Sequence, residues 1–247
     1  MLSFIDRPPA DESLQLVRRV TQANNQSPFY TDLAEGYLAF RRGDYAQAAQ
    51  KMRGNHNDLF SIGVSRGSSY SDLLPYLAVA YLRSGQRAEA EKLLAQQQAN
   101  LGDDSDYLVA RALLDGFAGK DQDAVASLRL AFYRLPLTLT RSFYPGYTLL
   151  EACELLLQQS GKEIYRDLIE DFARRLQMEV PYSWAAAFEA KYARDPDARR
   201  VALAAASILD PKSERLAGFP DSERSAARGA ALRHGGVLGA VLRRASR

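Results

Sequence analysis

The sequence predicts an all-α protein, a right-handed α-solenoid of stacked helical hairpins. Two observations predict this class: a turn glycine that recurs along the chain, and small residues at fixed distances on either side of it. Two helices that pack side by side need small residues where they touch, a turn between them and a stop before the next pair. The pattern is clearest in residues 107–136 and returns in residues 183–211. We therefore expect about five hairpins and no β-sheet.

Four glycines and one Arg-Asp pair mark the predicted turns: Gly43, Gly85, Gly119, Gly161 and Arg194-Asp195. Successive turns lie 42, 34, 42 and 33 residues apart. Two of these spacings exceed a 34-residue period by about eight residues. Extra residues in such an array leave through loops between hairpins, so we predict loops at residues 54–71 and 137–147.

Around these turns the chain resembles the tetratricopeptide repeat over residues 29–211. The matching positions are Gly36, Tyr45 and Ala48; Leu77, Ala78, Tyr81 and Ala90; Ala112, Ala124, Ala131 and Pro136; and Ala187, Ala206 and Pro211. The fourth copy departs from the pattern, because Glu154 stands at a small-residue position and Arg166 and Glu170 replace apolar residues of the second helix. The resemblance implies stacked hairpins that serve as a binding scaffold more often than as an active site.

The segments on either side of the array differ from it in composition. Residues 1–28 predict a helix at positions 11–23 that covers the first hairpin, with Leu14, Leu16, Val17 and Val20 as its apolar residues. Residues 212–247 carry eight Lys or Arg and three Asp or Glu, so the tail is basic while the rest of the chain is slightly acidic. We expect the tail to form two short helices, separated at Gly235-Gly236, that cover the last hairpin. The less favoured alternative is that they dock in the concave groove as a self-inhibitor. The residues predicted to dock are Leu232, Leu238, Val241 and Leu242.

Composition limits the compartment and the chemistry. No run of 18 apolar residues occurs, and the first nine residues lack the apolar stretch of a secretory signal. The single cysteine, Cys153, lies on an apolar helical stripe and is predicted to be a buried thiol. These features favour a cytoplasmic protein; a periplasmic protein or a piece of a longer one is the alternative.

The sequence offers no catalytic, cofactor-binding or metal-binding set. Its two histidines, His56 and His234, have no acidic partner at a recognisable spacing. The acidic run at residues 103–106 lacks the spacing of a calcium loop and is better explained as a helix cap. The segment at residues 66–69 lacks the lysine of a phosphate-binding loop and is interpreted as a connector. We expect a protein that is not an enzyme and needs no cofactor.

Candidate binding residues come from the first helices of the hairpins, which line the concave side of arrays of this family. Their projection gives a mostly apolar and aromatic set, the predicted concave face: Tyr37, Phe40, Arg41, Tyr76, Val79, Arg83, Leu113, Phe117, Trp184, Phe188 and Tyr192. A clamp for a terminal carboxylate is not favoured, because only Arg41, Arg83 and Lys191 could serve in it. For each apolar member the alternative is packing against the neighbouring hairpin.

The leading functional hypothesis is a non-enzymatic scaffold that holds a peptide or an amphipathic helix of another protein in this groove. One alternative is a regulatory or accessory segment of a larger enzyme or envelope-biogenesis assembly. The other is a binder of nucleic acid or anionic membrane through the basic tail, which is less favoured because the tail has no aromatic residue to stack on a base. Neither the partner nor the oligomeric state follows from the sequence.

Overall fold

A computed structural model describes residues 11–23, 29–61, 73–135, 146–179 and 182–233. Within these residues the protein is all-helical, with twelve α-helices, one short 3-10 helix and no strand. The α-helices are α1 (Asp11–Ala23), α2 (Phe29–Arg41), α3 (Tyr45–Ser61), α4 (Leu73–Arg83), α5 (Arg87–Leu101), α6 (Ser105–Phe117), α7 (Asp121–Tyr133), α8 (Tyr147–Ser160), α9 (Glu163–Glu179), α10 (Ser183–Tyr192), α11 (Pro196–Leu209) and α12 (Asp221–Arg233). The 3-10 helix is Glu214–Leu216.

The chain forms two compact units, Met1–Ala152 and Cys153–Arg247, with the boundary inside α8. These units do not coincide with the predicted divisions after residues 28 and 211. In the first unit each helix from α2 to α6 packs on the helix that follows it, and α4 also contacts α6. In the second unit α10 packs on α9 and α11, and α11 packs on α12.

The predicted turn glycines adopt the left-handed backbone conformation, which favours glycine. These glycines are Gly43, Gly85, Gly119 and Gly161, and their φ angles lie between +68° and +80°. In the first turn the Asp44 amide donates to the Ala39 carbonyl at 2.9 Å and the Gly43 amide donates to the Phe40 carbonyl at 3.0 Å. This pair of bonds ends a helix through a left-handed residue, and it recurs at Gly85 and Gly119. The first three turns are therefore repeats of one local structure.

The small residues lie at the helix contacts that the repeat pattern predicts. Each of the second and third hairpins buries an alanine pair completely: Ala78 with Ala90, and Ala112 with Ala124. In the first hairpin a Cβ added to Gly36 would lie 2.9 Å from the Met52 Cγ on α3, closer than side chains approach in folded proteins. Close approach of the two helices is what selects small side chains at these positions.

Replacement of Ala124 by leucine tests this contact. Ala124 has no exposed surface, so Ala124→Leu is expected to lower the free energy of unfolding by about 1–3 kcal/mol through overpacking. Urea denaturation measures this change in the free energy of unfolding. Ala126→Leu, on the exposed side of the same helix, is the matched control and should change stability much less. Equal midpoints for the two variants would contradict the placement of the contact.

The N-terminal helix α1 packs on α2 of the first hairpin. Leu14 is buried against Ala34 and Leu38 of α2. The apolar residues Leu16 and Val20, by contrast, are about half exposed. A two-residue spacing from Leu14 to Leu16 turns a side chain to another face of a helix, which explains the difference.

The first predicted loop is also partly corrected. Residues 54–61 continue α3 as helix, because Asn and Gly at single positions lower helix stability without ending a helix that packing supports. The remainder of this loop, residues 62–71, lies outside the described residues. So does most of the second predicted loop, including Pro145, and so does Pro136 just before it.

The segment after α11 covers the last hairpin. One buried cluster joins this segment to α10 and α11. It contains Leu216 of the 3-10 helix, Phe219 just before α12, and Ala227 of α12, together with α11 residues such as Leu203 and Ile208. A helix in the tail was predicted, and α12 confirms it. Leu216 and Phe219 were not among the residues predicted to dock. The predicted docking residues are not tested, because the Leu232 side chain and residues Leu238, Val241 and Leu242 lie outside what the structure describes.

Candidate interaction surface

Most of the predicted concave face is buried inside the protein. The buried members are Tyr37, Tyr76, Val79, Leu113, Trp184 and Phe188. Phe40, Phe117 and Tyr192 are half-buried, and Arg41 and Arg83 are exposed. For the six buried residues the prediction of an exposed apolar lining is wrong, and the alternative of packing holds. The physical reason is general: an apolar stripe at helical spacing gains most by packing against the next helix.

Tyr76 is the centre of an aromatic cluster in the first unit. Its ring lies edge-on to Tyr37 and to Phe40, with ring centroids 5.1 and 5.2 Å apart. Edge-to-face contacts of this kind stabilise packing beyond the buried area alone. The Tyr76 hydroxyl donates a hydrogen bond to Glu151 Oε2 at 2.6 Å. Burial, and then the neighbouring Glu151 carboxylate, raise the pKa of Tyr76 well above its ordinary value, so the phenol stays protonated and acts as a structural donor.

The exposed part of the predicted face follows a regular register. Arg41, Arg83 and Phe117 each stand two residues before the turn glycine of consecutive hairpins, and we call these three residues the Arg-Phe row. The Arg83 guanidinium carbon lies 5.1 Å from the centroid of the Phe117 ring, within the range of a cation–π contact. Two members from neighbouring hairpins are therefore contiguous on the surface.

In the second unit Glu154 gathers three side chains. Its Oε1 accepts hydrogen bonds from Lys191 Nζ at 2.8 Å and from the Tyr192 hydroxyl at 2.6 Å. Its Oε2 accepts one from Arg215 Nη1 at 3.4 Å. Burial by itself would raise the pKa of Glu154, but Arg215, Lys191 and Tyr192 together hold it below its ordinary value. The carboxylate is therefore ionised and its charge is balanced within the protein.

The Arg215 guanidinium also stacks on a predicted site residue. Its central carbon lies 3.8 Å from the centroid of the Phe188 ring. The side chain is 15% exposed, and that of Glu154 is 13% exposed. Arg215 thus fills a pocket between a carboxylate on α8 and an aromatic ring on α10.

Two of the three residues that depart from the predicted repeat pattern around Gly161 have a structural explanation. Glu154 reaches α10 through Lys191 and Tyr192, as described above. Arg166 donates from Nε to the Tyr192 carbonyl at 3.1 Å, where it satisfies a carbonyl at the end of α10. At these two positions the side chains make polar bonds to the next hairpin. The sequence marked both residues, together with Glu170, as exceptions but did not indicate this role.

A second buried carboxylate, Glu189 of α10, has a pKa that is shifted in the opposite direction from that of Glu154. Glu189 accepts hydrogen bonds from Gln177 Nε2 and from Arg174 Nε, the latter at 3.5 Å. Burial raises the pKa of Glu189 above its ordinary value, and these two donors do not offset it. The charged form of Glu189 is thus less well stabilised than that of Glu154.

Other sequence predictions have clear outcomes. Asp104 accepts a hydrogen bond from the Asp106 amide at 2.9 Å and caps α6, so the interpretation of the acidic run as a helix cap is confirmed. Cys153 is buried and burial raises its pKa, which keeps it as an unreactive thiol. Lys191, one of the three residues that could have served in the carboxylate clamp that was not favoured, is paired with Glu154. His234 and residues 66–69 lie outside the described residues.

The described residues contain neither a cluster of metal ligands nor a helix that could span a membrane. Among the side chains that the structure describes, no three His, Cys, Asp or Glu residues are grouped so that they could hold a metal ion. None of the helices within the described ranges has the length and apolarity needed to cross a bilayer.

A cavity of about 290 Å³ lies beside α1 and is lined largely by polar side chains. Its carboxylate, Glu35, already accepts from Arg18 and is paired with Lys51 at 2.8 Å. Burial would raise the pKa of Glu35, yet these two cations lower it. Two charged residues of the lining, Arg18 and Glu35, are thus engaged in contacts between α1, α2 and α3.

No family model matches the chain, and comparison with curated proteins and with solved structures found no match either. The interpretation of this surface therefore depends on the residues themselves.

Proposed function

We propose that this chain is a non-enzymatic protein-interaction scaffold in which hairpins of tetratricopeptide type stack as an α-solenoid. The first helices bind a peptide or an amphipathic helix of a partner protein. The arrangement is supported by consecutive helix packing, by the contact of α4 with α6, and by the repeated glycine turns. Contacts of each hairpin with its nearest neighbours are what such an array requires.

The observation that carries the proposal is the register of the Arg-Phe row. Arg41 and Arg83 are exposed at equivalent positions of consecutive hairpins, and Phe117 continues the row half-buried. Repeated positions on a repeat protein present the same kind of side chain at regular intervals, which suits an extended or helical partner with its own regular spacing. Two exposed guanidinium groups, one of which lies beside the half-buried Phe117 ring, favour a partner segment that combines acidic and apolar residues.

The exposed arginines of the Arg-Phe row are better residues to substitute than the buried aromatic residues. Tyr76 and Trp184 are buried, so alanine at these positions would damage the core and would not report on binding alone. Substitution of the exposed Arg41 and Arg83 removes surface charge and leaves the buried core unchanged.

The test is affinity capture from the source cell with the chain as bait, using the variant Arg41→Glu/Arg83→Glu. The expected result is the loss of captured protein, since two attractive charges become repulsive toward an acidic segment. The matched control is Lys92→Glu/Arg129→Glu, which makes the same change of charge on the exposed sides of α5 and α7, both second helices of their hairpins. Capture that is equal for both variants and for the unaltered protein would contradict the proposal.

A further inference from the structure

The pocket between Glu154 and Phe188, which we call the arginine pocket, has the features of a binding site for a guanidinium group. A carboxylate oxygen lies at one side, 3.4 Å from Arg215 Nη1, and an aromatic ring lies under the guanidinium plane at 3.8 Å. A planar guanidinium can stack on a ring and donate from its edge to a carboxylate at the same time. A lysine ammonium has no planar face to stack in this way.

The carboxylate wall of the pocket has partners besides Arg215. Lys191 and Tyr192 orient Glu154 through its other oxygen. The aromatic wall, Phe188, belongs to α10, which packs on α9 and α11. A carboxylate that is already oriented lowers the cost of binding a replacement guanidinium.

The residue that fills the pocket comes from outside the predicted repeats. Arg215 belongs to the 3-10 helix Glu214–Leu216. Leu216, the residue directly after Arg215, has no exposed surface. Phe219 holds the same segment four residues later, in the cluster that covers the last hairpin. Because the backbone is anchored by these apolar side chains, the partly exposed Arg215 side chain can leave the pocket by rotation without displacement of the cover.

We propose that the arginine pocket binds an arginine side chain of a partner protein segment and that Arg215 occupies it in the free chain. The proposal rests on the function proposed above and adds to it the chemistry of one partner residue and a contact that competes with it. An arginine of the partner replaces Arg215 and makes the same two contacts, one with the Glu154 carboxylate and one with the Phe188 ring.

The test uses the full chain with Arg215→Ala and a small probe, N-acetyl-L-arginine amide, titrated by NMR. We expect saturable binding to the variant and at least about tenfold weaker binding to the unaltered protein, in which Arg215 competes. N-acetyl-L-lysine amide is the matched probe and should bind the variant at least about tenfold more weakly than the arginine probe, since it cannot stack. Addition of Glu154→Gln to the variant should weaken arginine-probe binding by at least about tenfold, because a charge-assisted hydrogen bond is lost.

Three results would overturn the proposal: no binding to a folded Arg215→Ala chain, equal binding to the unaltered protein, or equal binding of the lysine probe. Circular dichroism establishes that the variant is folded. Should Arg215→Ala not fold, Arg215→Gln keeps most of the aliphatic stem and is titrated in its place with the same expectations. The probe experiment involves no cellular partner and no residue of the Arg-Phe row, so its failure is distinct from a failure of the capture experiment.

Discussion

Truncation of the chain after Gly218 is expected to lower the free energy of unfolding of the second unit by about 3–5 kcal/mol, the cost of removing a large aromatic residue from a core. The truncation removes Phe219 and α12, whose Ala227 is buried in the same cluster. Leu203 and Ile208 of α11 then lose their cover and become exposed to water. Hydrogen exchange of the α11 amides, together with urea denaturation, measures the effect.

The matched control is truncation after Arg233, which leaves every described contact of the cover in place. A small change in this control and a large one after Gly218 would assign the cover to Phe219 and α12. An equal loss of stability in both truncations would instead support the sequence prediction that Leu238, Val241 and Leu242 dock on the array. If neither truncation lowers stability or increases α11 exchange, the segment does not act as a cover.

Replacement of Glu154 by glutamine is the second prediction with a large effect. At neutral pH we expect a loss of about 1.5–3 kcal/mol of unfolding free energy, because hydrogen bonds to a charged carboxylate are exchanged for weaker ones. Lys191, Tyr192 and Arg215 all lose a charged acceptor. Glu189→Gln, which alters a buried carboxylate on α10, is the matched control, and it should cost less or be neutral, because burial already disfavours its charged form.

The dependence of stability on pH separates the two glutamates further. The pKa of Glu154 in the folded protein lies below its ordinary value of 4.5, so its stabilisation is present above that value and is lost as pH falls through the lower folded pKa. Glu154→Gln should remove this part of the acid-induced loss. The pKa of Glu189 is raised, so its ionisation costs stability at neutral pH and protonation relieves the cost as pH falls. Chemical denaturation of both variants between neutral pH and about pH 3 measures this, and parallel curves would contradict the assignment of opposite shifts.

Local structure was predictable wherever short-range physics decides it. The turn at Gly119 follows from a residue that enters the left-handed conformation without steric cost. The cap at Asp104 follows from a short acidic side chain that can bond to a backbone amide two residues ahead. The burial of Ala124 follows from a repeated small-residue spacing. Each of these features depends on residues within one helical hairpin.

The candidate site was predicted only in part, since burial depends on neighbours that a helix pattern does not contain. Arg83 and Trp184 both lie on predicted first helices, yet one is exposed and the other is buried. A periodic apolar stripe marks the side of a helix that avoids water, but it does not say whether another hairpin or a partner protein covers that side.

The sequence by itself determined the helical class, the glycine turns and the small-residue contacts of this protein, because these depend on conformational limits and packing between residues close along the chain. Only the tertiary structure decided that the aromatic residues of the predicted groove are mostly core, and that Arg215 stacks on Phe188 beside Glu154. Glu154 and Arg215 are 61 residues apart; Glu154 departs from the repeat pattern, and Arg215 lies after the predicted repeats. Contacts between such distant residues arise from the way whole helices pack, which no local spacing specifies.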